Sequence, residues 1–293
     1  MTGGVAVRGN LLCVTWSAAL GHVFLFDLEA RQRVSAWSVP AGSQGYSDAG
    51  GVAMDEHFHL FVADPHNNRV CHFSAFGRHL GDIGSPAPKN GDVARDRPGV
   101  LDRPHAVAVV GDTVLVGAGD KPRRCSVQRF TRTGTALRRL HSGGDVEATF
   151  GAPRSIWADA QGVLVADTLR GRIQRFRADG TFVSHTPCAL SGALARPIAV
   201  LRLPGGNMLV ADRGDEPAIT ALQPDGVHLG IAADLHARCV EPVAFAADAT
   251  GRIYVLDRGG ERVQRFDREL RFDQIVVDLP EHLDVAPGAP SEH

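Results

Sequence analysis

The sequence predicts an all-β fold: a six-bladed β-propeller with four antiparallel strands per blade, each blade complete in sequence. Three observations predict it. One phrase recurs, as "FVADPHNNRVCHF" (Phe61 to Phe73), "LVADTLRGRIQRF" (Leu164 to Phe176) and "YVLDRGGERVQRF" (Tyr254 to Phe266); each ends an apolar run in Asp, places Arg five positions later and closes on an aromatic. The Asp of the phrase falls at Asp64, Asp167, Asp212 (in "MLVADRGD") and Asp257, a spacing of about 45 residues or about twice that, which is the period of a four-stranded repeat. No segment sustains helical periodicity over three turns, whereas short alternating runs punctuated by Gly, Pro and Asp fill the chain.

The elements follow in order. Each unit opens on a short apolar run: "GGVAVRG", "GGVAMDE", "RPHAVAVV", "APRSIWAD", "RPIAVLRL" and "EPVAFAAD". The phrase itself supplies a second and a third strand, and a turn with Gly or Asp leads to a fourth run such as "RADGTFVSHT" or "DRELRFDQIVVD". Two units are degenerate, "LLCVTWSAALGHVFLF" with Trp16 in the Asp position and "TVLVGAGDKPRRCSVQRF" with Ala118 there. The blades are expected at about 1–40, 48–84, 102–143, 151–187, 195–233 and 240–279. One blade is too thin to bury both faces alone, so the units must pack on one another around a channel. The ring is expected to close by packing of blade one on blade six, with the tail 280–293 lying over that seam or disordered.

Composition narrows the function classes. A formal net charge of -2 gives no long-range attraction to nucleic acid or to an anionic membrane. Lys89 and Lys121 are the only lysines among 31 basic residues, a bias that points to a GC-rich bacterial genome rather than to a guanidinium-specific task. The start lacks the features of a signal peptide, and no run approaches the roughly 18 apolar residues that span a bilayer, so a soluble cytoplasmic protein is expected. Cys13, Cys71, Cys125, Cys188 and Cys239 are odd in number, widely separated and without a C-x-x-C, so neither a disulfide frame nor a zinc knuckle is signalled.

The pattern D-x-x-G-x-[IL]-[YLF]-V-A-D followed by [NR]-x-R-[VI]-Q-x-F is best seen in "DATGRIYVLDRGGERVQRF" (Asp248 to Phe266) and "DAQGVLVADTLRGRIQRF" (Asp159 to Phe176). In these residues the chain resembles the NHL-repeat family of β-propellers, over about residues 1–279. The blades at Asp64, Asp167 and Asp257 carry most of the resemblance. It implies the propeller fold, and some NHL domains bind RNA on a basic face. Related six-bladed enzymes, lactonase-like or lyase-like, hold a Ca or Zn ion in the channel.

Candidate residues divide into repeated and unrepeated ones. Asp64 with Arg69, Asp167 with Arg172, Asp257 with Arg262, and Asp212 recur once per regular blade, so a structural role is expected of them. Function belongs where equivalent positions differ. The residues that open the innermost strands are Gly3, Gly50, His105, Arg154, Ile198 and Val243, of which two are polar. With Asp102 and Arg103, they make a small basic, imidazole-bearing cluster suited to an anion or a peptide carboxylate. Phe58 stands in a turn where sibling blades carry Gly162 and Gly251, and an exposed aromatic there would contact a partner or the tail. The loop "GAGDKPRRCS" adds Lys121, Arg123 and Arg124, the best local basic patch.

Metal and cofactor chemistry find little support. A channel ion needs three or more converging ligands, and the innermost positions offer one His, no Asn and no carboxylate, so no cofactor is predicted and no metal site is assigned. His57 with His59, and His66 with His72, are pairs without a third donor. Two long connections, Ser38 to Gly50 and Gly84 to Asp102, are expected to rim the same mouth as His105 and Arg154. The function expected is therefore a non-catalytic scaffold that binds a protein or peptide partner through the mouth loops of blades one to four, as an accessory subunit of a bacterial complex. Two alternatives stand beside it: a lactonase-like or lyase-like enzyme using a channel His, and RNA binding by the Arg-rich blade three.

Overall fold

Successive hairpins of the chain fold into separate sheets whose first strands line a common axis. The computed structural model describes residues 3–17, 21–42, 45–86, 97–120, 125–140, 149–188, 195–215 and 217–283. Blade one holds β1 (Gly3–Arg8), β2 (Leu11–Ser17), β3 (Gly21–Asp27) and β4 (Gln32–Ser38); blade two holds β5 (Val52–Met54), β6 (Leu60–Asp64), β7 (Arg69–Phe73) and β8 (His79–Ile83). A short parallel pair, β9 (Ser85–Pro86) and β10 (Val100–Leu101), precedes blade three, which holds β11 (Pro104–Val110), β12 (Thr113–Ala118) and β13 (Ser126–Thr131). Blade four comprises β14 (Pro153–Asp159), β15 (Gly162–Asp167), β16 (Arg172–Phe176) and β17 (Phe182–Pro187). Blade five comprises β18 (Pro197–Arg202), β19 (Met208–Asp212), β20 (Ala218–Leu222) and β21 (His228–Ile231), followed by a short helix α1 (Ala233–Arg238). Blade six comprises β22 (Pro242–Ala247), β23 (Ile253–Asp257), β24 (Arg262–Phe266) and β25 (Phe272–Asp278), with α2 (Pro280–Leu283) after it.

The first strands touch in the order β1, β5, β11, β14, β18, β22 and back to β1, so the sheets form a closed six-bladed ring as the repeat count predicts. Second strands such as β6 and β15 are buried along their whole length, because both faces pack on neighbouring blades. Outermost strands such as β25 alternate between half-buried and exposed residues, since one face meets solvent. Blade three has the least regular edge: past β13, Ala136 bridges Phe130, and the amides of Leu137 and Leu140 bond to the carbonyls of Arg129 and Val127. No helix among the described residues is long and apolar enough to cross a membrane.

Closure needs no strand exchanged between the chain ends. Blades one and six each consist of their own consecutive strands and share a core of Val5, Leu12, Phe24, Phe26, Tyr254 and Leu256, among others. Leu279 is fully buried in that core, His282 sets its ring 4.9 Å from Phe26, and Arg33 Nη1 donates to the His282 carbonyl at 3.2 Å. The turn at 279–283 thus crosses the seam; residues 284–293 lie outside the described residues. A chain ended after Asp278 is expected to lose about 1.5–3 kcal/mol through Leu279 alone, read as a lower denaturant midpoint.

Candidate functional site at the channel mouth

The side chains of the mouth are aimed by one backbone device used four times. In blades three to six the first strand begins at Pro104, Pro153, Pro197 or Pro242, and the register with the second strand skips the next residue. The skipped residues are His105, Arg154, Ile198 and Val243. A bulge of this kind leaves its extra residue outside the ladder and re-aims the side chain, here into the channel. Blades one and two place Gly3 and Gly51 at the same level.

The repeated Asp holds the segment that delivers this bulge. Asp167 Oδ1 accepts the amides of Gly151 at 2.6 Å and Ala152 at 2.9 Å, while Oδ2 accepts Gln174 Nε2 at 2.9 Å. Asp257 accepts Val240 and Glu241 at 3.0 and 2.8 Å and Gln264 at 3.2 Å; Asp212 accepts the Arg196 amide on both oxygens, at 3.0 and 2.9 Å. Asp64 accepts the Asp48 amide at 3.1 Å and Asn67 Nδ2 at 2.7 Å. Its Arg69 partner lies at 3.1 Å, Arg172 is 3.6 Å from Asp167 and Arg262 is 3.5 Å from Asp257.

Blade three lacks this clamp, and the consequences reach the mouth. With Ala118 in the Asp position, Gln128 turns to the inserted loop, accepting the Gly99 amide at 3.0 Å and donating to the Val100 carbonyl at 2.5 Å. The carboxylate reappears two residues on, as Asp120. Its Oδ1 lies 2.7 Å from His105 Nε2 and 2.6 Å from Arg154 Nη2, and its Oδ2 lies 2.6 Å from Arg103 Nε. The His105 contact is close but off the direction of a ring N–H.

The resulting cavity measures about 380 Å³ and is lined by all six blades. Its polar side chains are Arg103, His105 and Asp120 from blade three, Arg154 and Thr168 from blade four, and Arg196 and Arg213 from blade five. Thus four guanidinium groups surround one lining carboxylate. Arg213 pairs at 2.5 Å with Glu241, which lies outside the lining, and Arg196 has no side-chain partner among the described residues. Burial tends to raise the Asp120 carboxyl, but His105, Arg154 and Arg103 outweigh it and hold it at about 2. Burial lowers the His105 imidazole, Arg154 and Arg103 add to this, and Asp120 opposes it.

This last shift carries a pH prediction. A histidine whose folded value is lowered takes up its proton more readily in the unfolded chain, so its contribution is nil above its ordinary value of 6.5 and destabilising below. Denaturant midpoints taken from neutral pH down to about pH 5 are expected to fall more steeply for the wild type than for His105→Gln.

Several expected site residues sit elsewhere. Asp102 is half-buried and does not line the cavity. Phe58, expected to be exposed, is partly buried against the core shared by blades one and two, with its ring beside Gly9 and its backbone at φ 63, at the opposite end of the channel strands. The described residues of the two long loops do not line the cavity: their ends are tied down by Ser47 on the Val39 carbonyl and by the β9–β10 pair. Among the described residues, the polar side chains that line the cavity come from blades three to five. Arg123 and Arg124 lie outside the described residues. His57 and His59 lie near one another as expected, with ring centroids 6.3 Å apart, but His72 meets His59, Nε2 to Nδ1 at 3.2 Å, and His66 packs on the ring of Tyr46. Missed altogether were Asp120, Thr168, Arg196 and Arg213, although Arg196 precedes Pro197 as Arg103 precedes Pro104.

No protein-family model matches the chain. A curated relative, human NHL-repeat-containing protein 4, is 37% identical over 84 residues, which are 28% of this chain and 65% of that protein. The chain therefore spans just under two thirds of the relative's length. Among solved structures, a protein of unknown function from Bacteroides caccae matches with a TM-score of 0.63 at 14% identity, covering 91% of this chain and 93% of that one. A streptogramin B lyase matches with a TM-score of 0.63 at 13% identity, covering 93% and 81%. A nidogen/laminin complex matches with a TM-score of 0.61 at 17% identity, covering 91% and 93%. At these identities the structures speak for the fold alone. The repeated phrase and the closed ring agree that the chain is a six-bladed β-propeller, and over 84 residues its repeats are similar to those of an NHL-repeat-containing protein.

Proposed function

We propose that the protein is a non-catalytic binding propeller whose channel mouth on blades three to five takes an anionic group, above all a carboxylate, of a protein or peptide partner. The observation that carries this reading is the surplus of guanidinium over carboxylate in the cavity, with Arg196 exposed and uncommitted among the described residues. Asp120 pairs with one guanidinium each from Arg103 and Arg154, and Arg196 faces the same space, so an incoming carboxylate meets more positive charge than the lining itself neutralises. Such a role fits an accessory subunit of a larger complex. All five cysteines are free thiols, which suits our assignment of a reducing cytoplasm.

Calorimetric titration with N-acetylated tripeptides tests the reading, each peptide offered with a free C-terminal carboxylate and as its amide. The acids are expected to bind about ten- to hundredfold more tightly, the difference that hydrogen bonds to a charged group supply. Equal affinity for acid and amide refutes the reading.

A second reading, a propeller lyase or lactonase, is favoured by one observation: His105 and Asp120 are in contact inside the cavity, where an acid–base pair would have to be. Turnover of a lactone panel that disappears in His105→Ala would put this reading in place of the first.

A further inference from the structure

Blade two departs from its siblings at its outer edge. Blades three, four and six carry Gln128, Gln174 and Gln264 at one position of the third strand, and blade two carries Cys71 there. In blades four and six that Gln donates to the strand-end Asp. Asp64 is instead served by Asn67 and Arg69, so the side chain at position 71 is released from the clamp. Directly across the ladder from Cys71 stands Asp82, and across from Phe73 stands His79.

His79 and Asp82 are three residues apart, and simple alternation would send them to opposite faces. The β7–β8 register shifts between His72 and Phe73 and leaves Leu80 as the extra residue, which returns His79 and Asp82 to the face of Cys71. The Cys71 sulfur, a His79 nitrogen and an Asp82 oxygen all lie within 4.8 Å of one another. His79 Nε2 is 2.8 Å from Asp82 Oδ1, while Arg69 Nη1 holds the other oxygen, Oδ2, at 2.8 Å. Cys71 is buried, whereas His79 and Asp82 are each about one-third exposed, so the group is open on one side.

We propose that Cys71, His79 and Asp82 bind a borderline-soft divalent transition-metal ion of the zinc class, with solvent in the fourth position. One sulfur, one imidazole nitrogen and one carboxylate oxygen form a donor set for zinc or cobalt and a poor one for calcium, which takes oxygen ligands. Metal–ligand bonds of about 2.0–2.3 Å place tetrahedral donors roughly 3.3–3.8 Å apart, within the spread that these atoms occupy. The ion replaces the His79–Asp82 hydrogen bond, and Arg69 continues to orient the carboxylate from its other oxygen. Burial raises the Cys71 thiol, with Arg69 opposing, so the free protein holds the sulfur protonated; binding forms the metal–sulfur bond and releases that proton to solvent.

The test is titration of the chelator-treated full chain with cobalt(II), followed by zinc. The expected result is one equivalent of cobalt per chain with thiolate-to-cobalt charge-transfer absorption, displaced by zinc and absent from Cys71→Ser. His79→Gln and Asp82→Asn alter partly exposed side chains and leave the core intact; each is expected to weaken binding by at least about 10–100-fold, the loss that even an outer-shell partner causes. Failure to take up a stoichiometric ion overturns the proposal. So does a band that persists unchanged in Cys71→Ser or His79→Gln, or uptake that is lost on replacing His59 and His72 instead.

Discussion

Asp167→Ala is expected to destabilise the protein by on the order of 3–5 kcal/mol, seen as a large fall in the denaturant midpoint. The side chain is fully buried and accepts the amides of Gly151 and Ala152 and the amide group of Gln174, with Arg172 at 3.6 Å. Removing the carboxylate leaves these donors enclosed with no acceptor of matching charge, and the cost of orphaned buried donors exceeds that of an ordinary hydrogen bond. Asp212→Ala should cost less. That carboxylate is only half-buried, so water can replace it at the Arg196 and Gly214 amides. Equal losses in the two variants would show that the clamp does not work through burial.

The clamp explains why the fold was legible and the mouth only partly so. An Asp that fastens the start of its own blade recurs at the blade period, so the spacing of Asp64, Asp167, Asp212 and Asp257 gives that period, and the degenerate copies at Trp16 and Ala118 complete the count of six. The inward residues His105 and Arg154 were legible for the same reason, since the Pro before each marks the bulge. Asp120 was hidden because it belongs to no repeated position: it is the carboxylate of a broken copy, displaced from Ala118 and turned inward. Arg196 and Arg213 were hidden among the arginines of an arginine-rich chain. Phe58 misled because a residue at φ 63 in a turn reads as exposed, whereas the ring folds back on the core of blades one and two. Cys71 reads as one more buried thiol until the ladder sets it opposite Asp82.

Arg196→Ala should weaken binding of a carboxylate-terminated tripeptide by about ten- to hundredfold. The unfolding midpoint should stay unchanged, because this side chain has no partner among the described residues. Asp120→Asn should act in the opposite direction. It keeps the shape of the side chain but removes the one negative charge of the lining, leaving Arg103 and Arg154 uncompensated. For charges some 6–8 Å apart at an effective dielectric near 20, that change amounts to about 2 kcal/mol before screening, or at most roughly thirtyfold in affinity.

The central claim is that the mouth on blades three to five recognises negative charge. Calorimetric titration of one N-acetylated tripeptide acid against the wild type, Arg196→Ala and Asp120→Asn tests it most directly. The account predicts the order of affinity Asp120→Asn above wild type above Arg196→Ala, with the spread collapsing when the peptide amide is used. Three equal affinities, or the reverse order, would contradict it.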